Sequence, residues 1–212
     1  MAAIQSSCSL MLVVEASDSA RQQLEAVLAA GAISSVCFLP AAERSYDVQT
    51  LRPLIHATQK AGAAALIVDD ARLARTLKAD GVHLSARQAK TDYAEARGVV
   101  GNGCIVGADA GRSRDLAMQL GEDGADYIAF SAPDFVADQQ AARERRLDLV
   151  KWWAEIFEVP CVAFDVDSAA DAATLAAAGA DFVALRLSPS LAPADARETA
   201  AAMLAALPRR DT

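Results

Sequence analysis

Residues 66–85 read LIVDDARLARTLKADGVHLS. A short apolar run ends in Asp69 and Asp70. An amphipathic stretch with the helical period follows, and Asp80-Gly81-Val82 turns the chain into a second apolar run. Two strands joined by one helix in so few residues run parallel, because the helix returns the chain to the edge where the first strand began. In parallel α/β folds the C-terminal strand ends carry the chemistry. Asp69 and Asp70 stand at such an end, so one segment states a fold and nominates a site.

The same unit recurs along the chain. Strands are predicted at Ser9–Val14, Ser35–Leu39, Ala64–Asp69, Gly81–Leu84, Cys104–Ala108, Tyr127–Ser131, Cys161–Asp165 and Phe182–Leu187. All are short and rich in Val, Ile and Leu, as strands covered on both faces should be. Helical patterns fill the gaps at Asp18–Ala30, Val48–Ala61, Ala71–Lys78, Ala86–Arg97, Ser113–Glu122, Arg143–Phe157, Ala169–Ala178 and Pro193–Leu207. Gly31, Gly124 and Gly179 follow helices as left-handed stops, and Ser168 can cap the helix after strand seven, with Asp171 three residues on. A weak repeat, Lys78-Ala79-Asp80, Gly124-Ala125-Asp126 and Gly179-Ala180-Asp181, marks three helix-to-strand turns. Those aspartates belong to the stability face of the sheet. Eight strand–helix units favour one domain over residues 1–212, a closed (β/α)8 TIM barrel, and no GxGxxG or GxxxxGK[ST] motif supports an open nucleotide-binding sheet. The polar stretch Ala137–Arg145 is predicted as a mobile loop, and residues 132–145 are a candidate lid.

Composition narrows the function classes. The formal net charge of −8 argues against nonspecific nucleic-acid binding. No apolar run reaches the ~20 residues of a membrane span. The first residues, MAAIQSSCSLMLVVE, read as a strand and not as a secretory signal. Cys8, Cys37, Cys104 and Cys161 form no CxxC pair and lie in or beside apolar runs, which predicts reduced thiols and a cytoplasmic protein. A small-molecule ligand is the expected partner. Trp152 and Trp153 are adjacent on a helix, so one packs on the barrel and the other is free to reach an interface, which fits a homodimer.

Read by strand end, the barrel mouth receives Glu15, Leu39 with Pro40, Asp69 with Asp70, His83 with Ser85, Asp109, Ser131 with Asp134, Asp165 with Asp167, and Arg186. Arg72, Arg87 and Arg112 lie in nearby loops. The candidate ligand-binding residues are Asp69, His83, Asp109, Ser131, Asp165 and Arg186. Alternation sends Asp69 and Asp70 to opposite sides, Asp69 inward and Asp70 onto the following helix as its N-cap. His83 is either a hydrogen-bonded core histidine or an acid–base group. Asp109 either caps the next helix or faces the mouth. Asp165 and Asp167, one residue apart, could together hold a hard cation, and capping beside Ser168 accounts for them equally well.

These motifs resemble the thiamine phosphate synthase family, which includes thiazole tautomerase relatives, over roughly residues 10–187. The best stretches are LIVDDARLARTLKADGVHL, IVGADAGRSRDLAMQLGEDGADYIAF and VPCVAFDVDSAADAATLAAAGADFVAL. The resemblance implies a (β/α)8 barrel that joins a pyrimidine diphosphate to a thiazole phosphate with Mg²⁺ and releases pyrophosphate. Asp69 matches the aspartate of the family's Asn-Asp-Arg, a magnesium-site residue, which implies Asp69 as the metal ligand. Gly81-Val82-His83-Leu84 is intact. Elsewhere the chain departs from the pattern. Val68 and Asp70 replace the asparagine and arginine, Ser85-Ala86 replaces Gly-Gln, and Gln88 stands where a second acidic metal residue is expected. Val36-Cys37-Phe38-Leu39-Pro40 replaces Gln-x-Arg-x-x-Lys, Asp109 replaces a serine, and Asp165-Val166 replaces a glycine pair. The Thr-Pro-Thr-Lys loop does not follow Ser131, and the tautomerase histidine after strand five has no match in Gly107-Ala108-Asp109-Ala110.

The departures share a direction, since glycines and cations have become apolar or acidic residues. A diphosphate needs exposed backbone N–H groups and positive charge. A carboxylate 4 Å from a phosphate charge costs ~4 kcal/mol at an effective dielectric of ~20. Two other functions therefore stand beside the family reaction. One is a diverged paralogue that binds a neutral or cationic small molecule, or a metal, at an acidic mouth. The other is a non-catalytic interaction scaffold.

Overall fold

The structure is a computed structural model that describes residues 7–41, 45–133 and 135–208. Strands and helices alternate without exception: β1 (Ser9–Glu15), α1 (Ala20–Leu28), β2 (Ile33–Leu39), α2 (Val48–Lys60), β3 (Ala64–Val68), α3 (Ala71–Leu77), β4 (Gly81–Leu84), α4 (Ala89–Val100), β5 (Ile105–Asp109), α5 (Arg114–Glu122), β6 (Tyr127–Phe130), α6 (Gln139–Ile156), β7 (Cys161–Val166), α7 (Ala169–Ala177), β8 (Phe182–Leu187) and α8 (Pro193–Ala206). The strands form one closed parallel barrel in chain order, with β8 returning to pair with β1. The barrel expected from residues 66–85 is the one found.

Alternation along each strand sorts the side chains into two cores. Leu10, Leu12, Val36, Phe38, Ile67 and Val82 point outward into the helix layer. The helices meet that face with small residues such as Ala20, Ala74, Ala96, Ala117, Ala172 and Ala200, which explains the alanine-rich composition. Met11, Val13, Cys37, Leu66, Val68, Tyr127, Val162 and Phe164 fill the barrel itself. Gly107 makes that filling possible. A Cβ there would sit 1.8 Å from the Tyr127 ring, so the ring lies across the barrel against bare backbone.

At the N-terminal ends of the strands the repeated aspartates do one job three times. The N–H groups of Asp80, Asp126 and Asp181 donate to the carbonyls of Ala65, Val106 and Cys161 at 2.8, 3.0 and 3.1 Å. Their carboxylates accept the N–H of the same three residues at 2.7, 2.7 and 2.8 Å. Each turn thus closes both hydrogen bonds of a strand start that the ladder leaves open. Arg97 adds a 2.6 Å ion pair to Asp126.

Two expectations need correction. Residues 139–145 are the opening turns of α6 and not loop; Asp138 caps them by accepting from the Ala141 N–H at 3.0 Å. They read as polar because only Ala142 and Arg146 reach the buried face there. Asp134, placed at the mouth by sequence, lies outside the described residues. Gly31 is not left-handed, whereas Gly124 and Gly179 are, with φ of 90° and 102°. Gly31 instead lies against α8, where a Cβ would meet the tip of the Leu204 side chain at 2.6 Å.

Lys78 occupies the position that Gly124 and Gly179 hold in the other two repeats, and it takes the same left-handed backbone with φ of 57°. An L residue there carries a cost of about 1–2 kcal/mol, partly offset because glycine loses more freedom on folding. Lys78→Gly is expected to raise the unfolding free energy by about 0.5–1 kcal/mol in urea denaturation, with the m-value unchanged.

Candidate functional site

The C-terminal strand ends surround a cavity of about 1200 Å³. Asp69, His83, Asp109, Ser131, Asp165 and Arg186 all line it, so the structure brings together the six residues nominated from sequence.

Asp69 and Asp70 divide as alternation suggests. Asp70 Oδ1 accepts the Leu73 N–H at 2.8 Å and caps α3. Asp69 takes a left-handed φ of 59°, and its Oδ1 accepts the Ser85 N–H at 2.7 Å, tying the end of β3 to the end of β4. Asp109 is almost fully buried, and its Oδ1 accepts the Gly111 N–H at 2.6 Å. It does not cap α5; Ser113 does. Burial pushes the Asp109 carboxyl up to about 7, and the charges of Asp165 and Asp69 push the same way against the Gly111 and Ser131 hydrogen bonds.

Asp165 and Asp167 do not form a cation pair. Asp165 has φ of 56° beside a register shift between β7 and β8, which turns it into the cavity, where Oδ2 accepts the Ala132 N–H at 3.1 Å. Asp167 points away and meets Arg143 at 2.6 Å. The left-handed turn is held from behind by Arg146, a buried residue of α6. Its guanidinium donates to the carbonyls of Phe164 and Asp165 at 2.6 and 2.7 Å and grips Asp171 through both carboxylate oxygens.

His83 is both a core residue and a cavity residue. Its Nδ1 lies 2.8 Å from the Tyr127 hydroxyl, and its ring stacks on Phe164 at 4.7 Å. Burial lowers its pKa to about 4, so the imidazole is neutral at neutral pH.

Sequence reasoning missed four contributors. Tyr46 bridges the ends of β2 and β3, its hydroxyl 2.7 Å from the carbonyls of Phe38 and Val68. Phe164 gives the cavity an aromatic wall, and Tyr127, in the inner core, hydrogen-bonds the lining residue His83. Arg146 was legible in principle, because it falls on the helical stripe of Ala142, Leu149, Val150 and Trp153. Of the loop arginines, Arg87 lines the cavity, Arg72 pairs with Glu95 outside it, and Arg112 does not line it. Trp153 is buried, and Trp152 is half-covered under the Arg114 guanidinium.

The charge balance follows. Among the described residues, Asp69, Asp70, Asp109 and Asp165 line the cavity against two guanidinium groups, Arg87 and Arg186, and Arg186 is already paired with Glu15 at 2.8 Å. The backbone N–H groups of Ser85, Gly111 and Ala132, just beyond the ends of β4, β5 and β6, are each taken by a protein carboxylate. The magnesium ion that the resemblance implies fits these residues poorly. Magnesium is held by one or two carboxylates together with substrate phosphates. Here Asp69 already accepts from Ser85, Asp70 is turned onto α3 and residue 88 is an amide. Among the described residues no group of three or more His, Cys, Asp or Glu side chains is placed to hold an ion.

A family model described as thiamine monophosphate synthase matches residues 10–188. A thiamine-phosphate synthase of Hyphomonas neptunium is 39% identical over 78% of this chain and 76% of its own length. One from Erythrobacter litoralis is 37% identical over 77% of this chain and 78% of its own. Among solved structures, a thiamine phosphate pyrophosphorylase from Pyrococcus furiosus superposes with a TM-score of 0.75 over 96% of both chains at 17% identity, a likeness of fold. No helix among the described residues is long and apolar enough to cross a membrane.

The raised Asp109 pKa makes stability depend on pH. Below the ordinary value of 3.8 both folded and unfolded chains keep the proton, and Asp109 costs nothing. Between there and about 7 the unfolded chain has lost it while the folded chain keeps it, so this residue's contribution falls as pH rises and is lowest above 7. Asp109→Asn is expected to stabilise by roughly 2–4 kcal/mol above neutrality, at ~1.4 kcal/mol per unit, and to change nothing in acid. Urea denaturation on either side of the interval checks it.

Proposed function

The chain belongs to the thiamine monophosphate synthase family, and we propose that within it this barrel binds a small neutral or cationic ring compound at an acidic mouth and does not carry out the displacement of a diphosphate. The named relatives place the ancestry among thiamine-phosphate synthases, which are transferases, and a thiamine-related ring is the ligand class that ancestry favours.

One observation carries the reading. The N–H groups of Ser85, Gly111 and Ala132, which could otherwise receive phosphate oxygens, are occupied by Asp69, Asp109 and Asp165. An incoming diphosphate would have to displace protein carboxylates and then sit beside them, at ~4 kcal/mol for each unit charge 4 Å away. Among the described residues, no lysine lines the cavity to compensate. The roles that remain are recognition roles. Phe164 and His83 offer flat faces, Ser131 a hydroxyl, and Asp109 a carboxyl poised near neutrality. Asp69 is kept as an oxygen ligand to a bound group, and no step is routed through a metal. An open cavity of about 1200 Å³ speaks against a scaffold whose mouth is plugged.

Calorimetric titration of the folded protein with thiazole phosphate, and with pyrimidine diphosphate plus Mg²⁺, tests the reading. No binding heat is expected from either, and no pyrophosphate when both are present. Saturable heat with the diphosphate, or pyrophosphate release at enzymatic rates, would overturn it.

A further inference from the structure

Behind His83, which lines the mouth cavity, lies a group of buried polar side chains that the reading above leaves unused. His83 Nδ1 is 2.8 Å from the Tyr127 hydroxyl. Cys37 lies with Tyr127 in the same inner core, and the Cys37 Sγ lies 3.7 Å from the Met11 Sδ. His83, Tyr127 and Cys37 are all buried. The other imidazole nitrogen differs. Nε2 has no partner among the described residues, yet it is not one of the sealed unpaired polar atoms, and His83 lines the cavity. It therefore faces the open space.

Which nitrogen carries the proton is set by what the other one meets. A phenol hydroxyl has one proton to give. Between an imidazole nitrogen and a thiol sulfur, the nitrogen is much the stronger acceptor, because sulfur accepts only weakly. The thiol can then give its own weak proton to the phenol oxygen or to Met11. The reverse order would spend the phenol proton on sulfur and turn Nε2 into an acceptor.

We propose that Tyr127 and Cys37 are positioning residues that hold His83 in its Nε2–H form, so that the barrel presents one fixed, neutral hydrogen-bond donor to the cavity. The inference rests on the mouth being a ligand site, and it names what that site recognises: an in-plane acceptor, a ring nitrogen or a carbonyl oxygen, on a flat compound. Phe164, stacked on His83 with 12° between the planes, fixes the direction of the donor. Burial keeps the series uncharged, pushing the Cys37 thiol up to about 12 and the Tyr127 phenol well above its usual value. No proton is transferred. The series selects a tautomer.

Long-range ¹H–¹⁵N correlation spectra of histidine-labelled protein read the tautomer directly. His56, the other histidine and exposed on α2, is the internal reference. At neutral pH, wild-type His83 is expected in the Nε2–H form with Nδ1 unprotonated. Tyr127→Phe should release it into a mixture of tautomers, and Cys37→Ala should move the Nδ1 resonance the same way by less. An Nδ1–H form in the wild type overturns the inference, as does an unchanged tautomer in folded Tyr127→Phe. If that variant does not fold, the wild-type tautomer alone decides. The spectra need no ligand, so a wrong tautomer leaves the acidic-mouth reading standing, whereas diphosphate binding overturns that reading and leaves the tautomer where it is.

Discussion

The Tyr127 ring, laid across the barrel over the bare backbone of Gly107, is the contact on which the rest of the site depends. The interior of an eight-stranded parallel barrel is just wide enough to be filled by side chains. Leu66, Ile105, Val162 and Phe182, from four strands, pack with the tyrosine in that inner core. Above it the barrel opens into the cavity. The same phenol hydrogen-bonds His83, which lines the cavity, so one interior residue sets the hydrogen bonding behind it.

The mouth is built differently from the inner core. Two of its aspartates, Asp69 and Asp165, take left-handed backbones that cost an L residue about 1–2 kcal/mol each. Both are retained by specific partners. Asp69 meets the Ser85 N–H, and Asp165 meets the Ala132 N–H while Arg146 holds its carbonyl. Hydrogen bonds to charged groups contribute about 1.5–3 kcal/mol, enough to offset the strain. The outcome is a rim in which protein carboxylates already occupy backbone donors. An anionic ligand therefore competes with the fold for them, and a neutral or cationic one does not.

Much of this was legible in the chain. The repeat of apolar run, amphipathic helix and aspartate turn fixes strand order and direction, because a right-handed crossover leaves no other arrangement. Strand-end arithmetic brought six separated residues to one cavity for the same reason. What sequence could not show depended on local backbone departures. A strict period of two sends Phe164 and Asp165 to opposite faces, yet the left-handed turn at Asp165 lets both line the cavity and separates Asp165 from Asp167. Tyr46 acts from outside the strand pattern, through carbonyls at two strand ends. Arg146 looks like its neighbours Arg143 and Arg145 until the helical stripe is counted back through residues that read as loop. The 139–145 stretch was mistaken because a solvent-facing first turn and a polar loop have the same composition.

The central claim is that carboxylates of the protein stand where a diphosphate would have to bind. Titration of inorganic pyrophosphate, followed by the ³¹P line, into wild-type protein and into the double variant Asp109→Ser, Asp165→Gly tests it most directly. Glycine suits the φ of 56° at residue 165, so the variant removes both carboxyl groups while residue 165 keeps its backbone conformation. The account predicts an unperturbed line with the wild type and a saturable shift or broadening with the variant. Saturable binding to the wild type, as tight as to the variant, would contradict it.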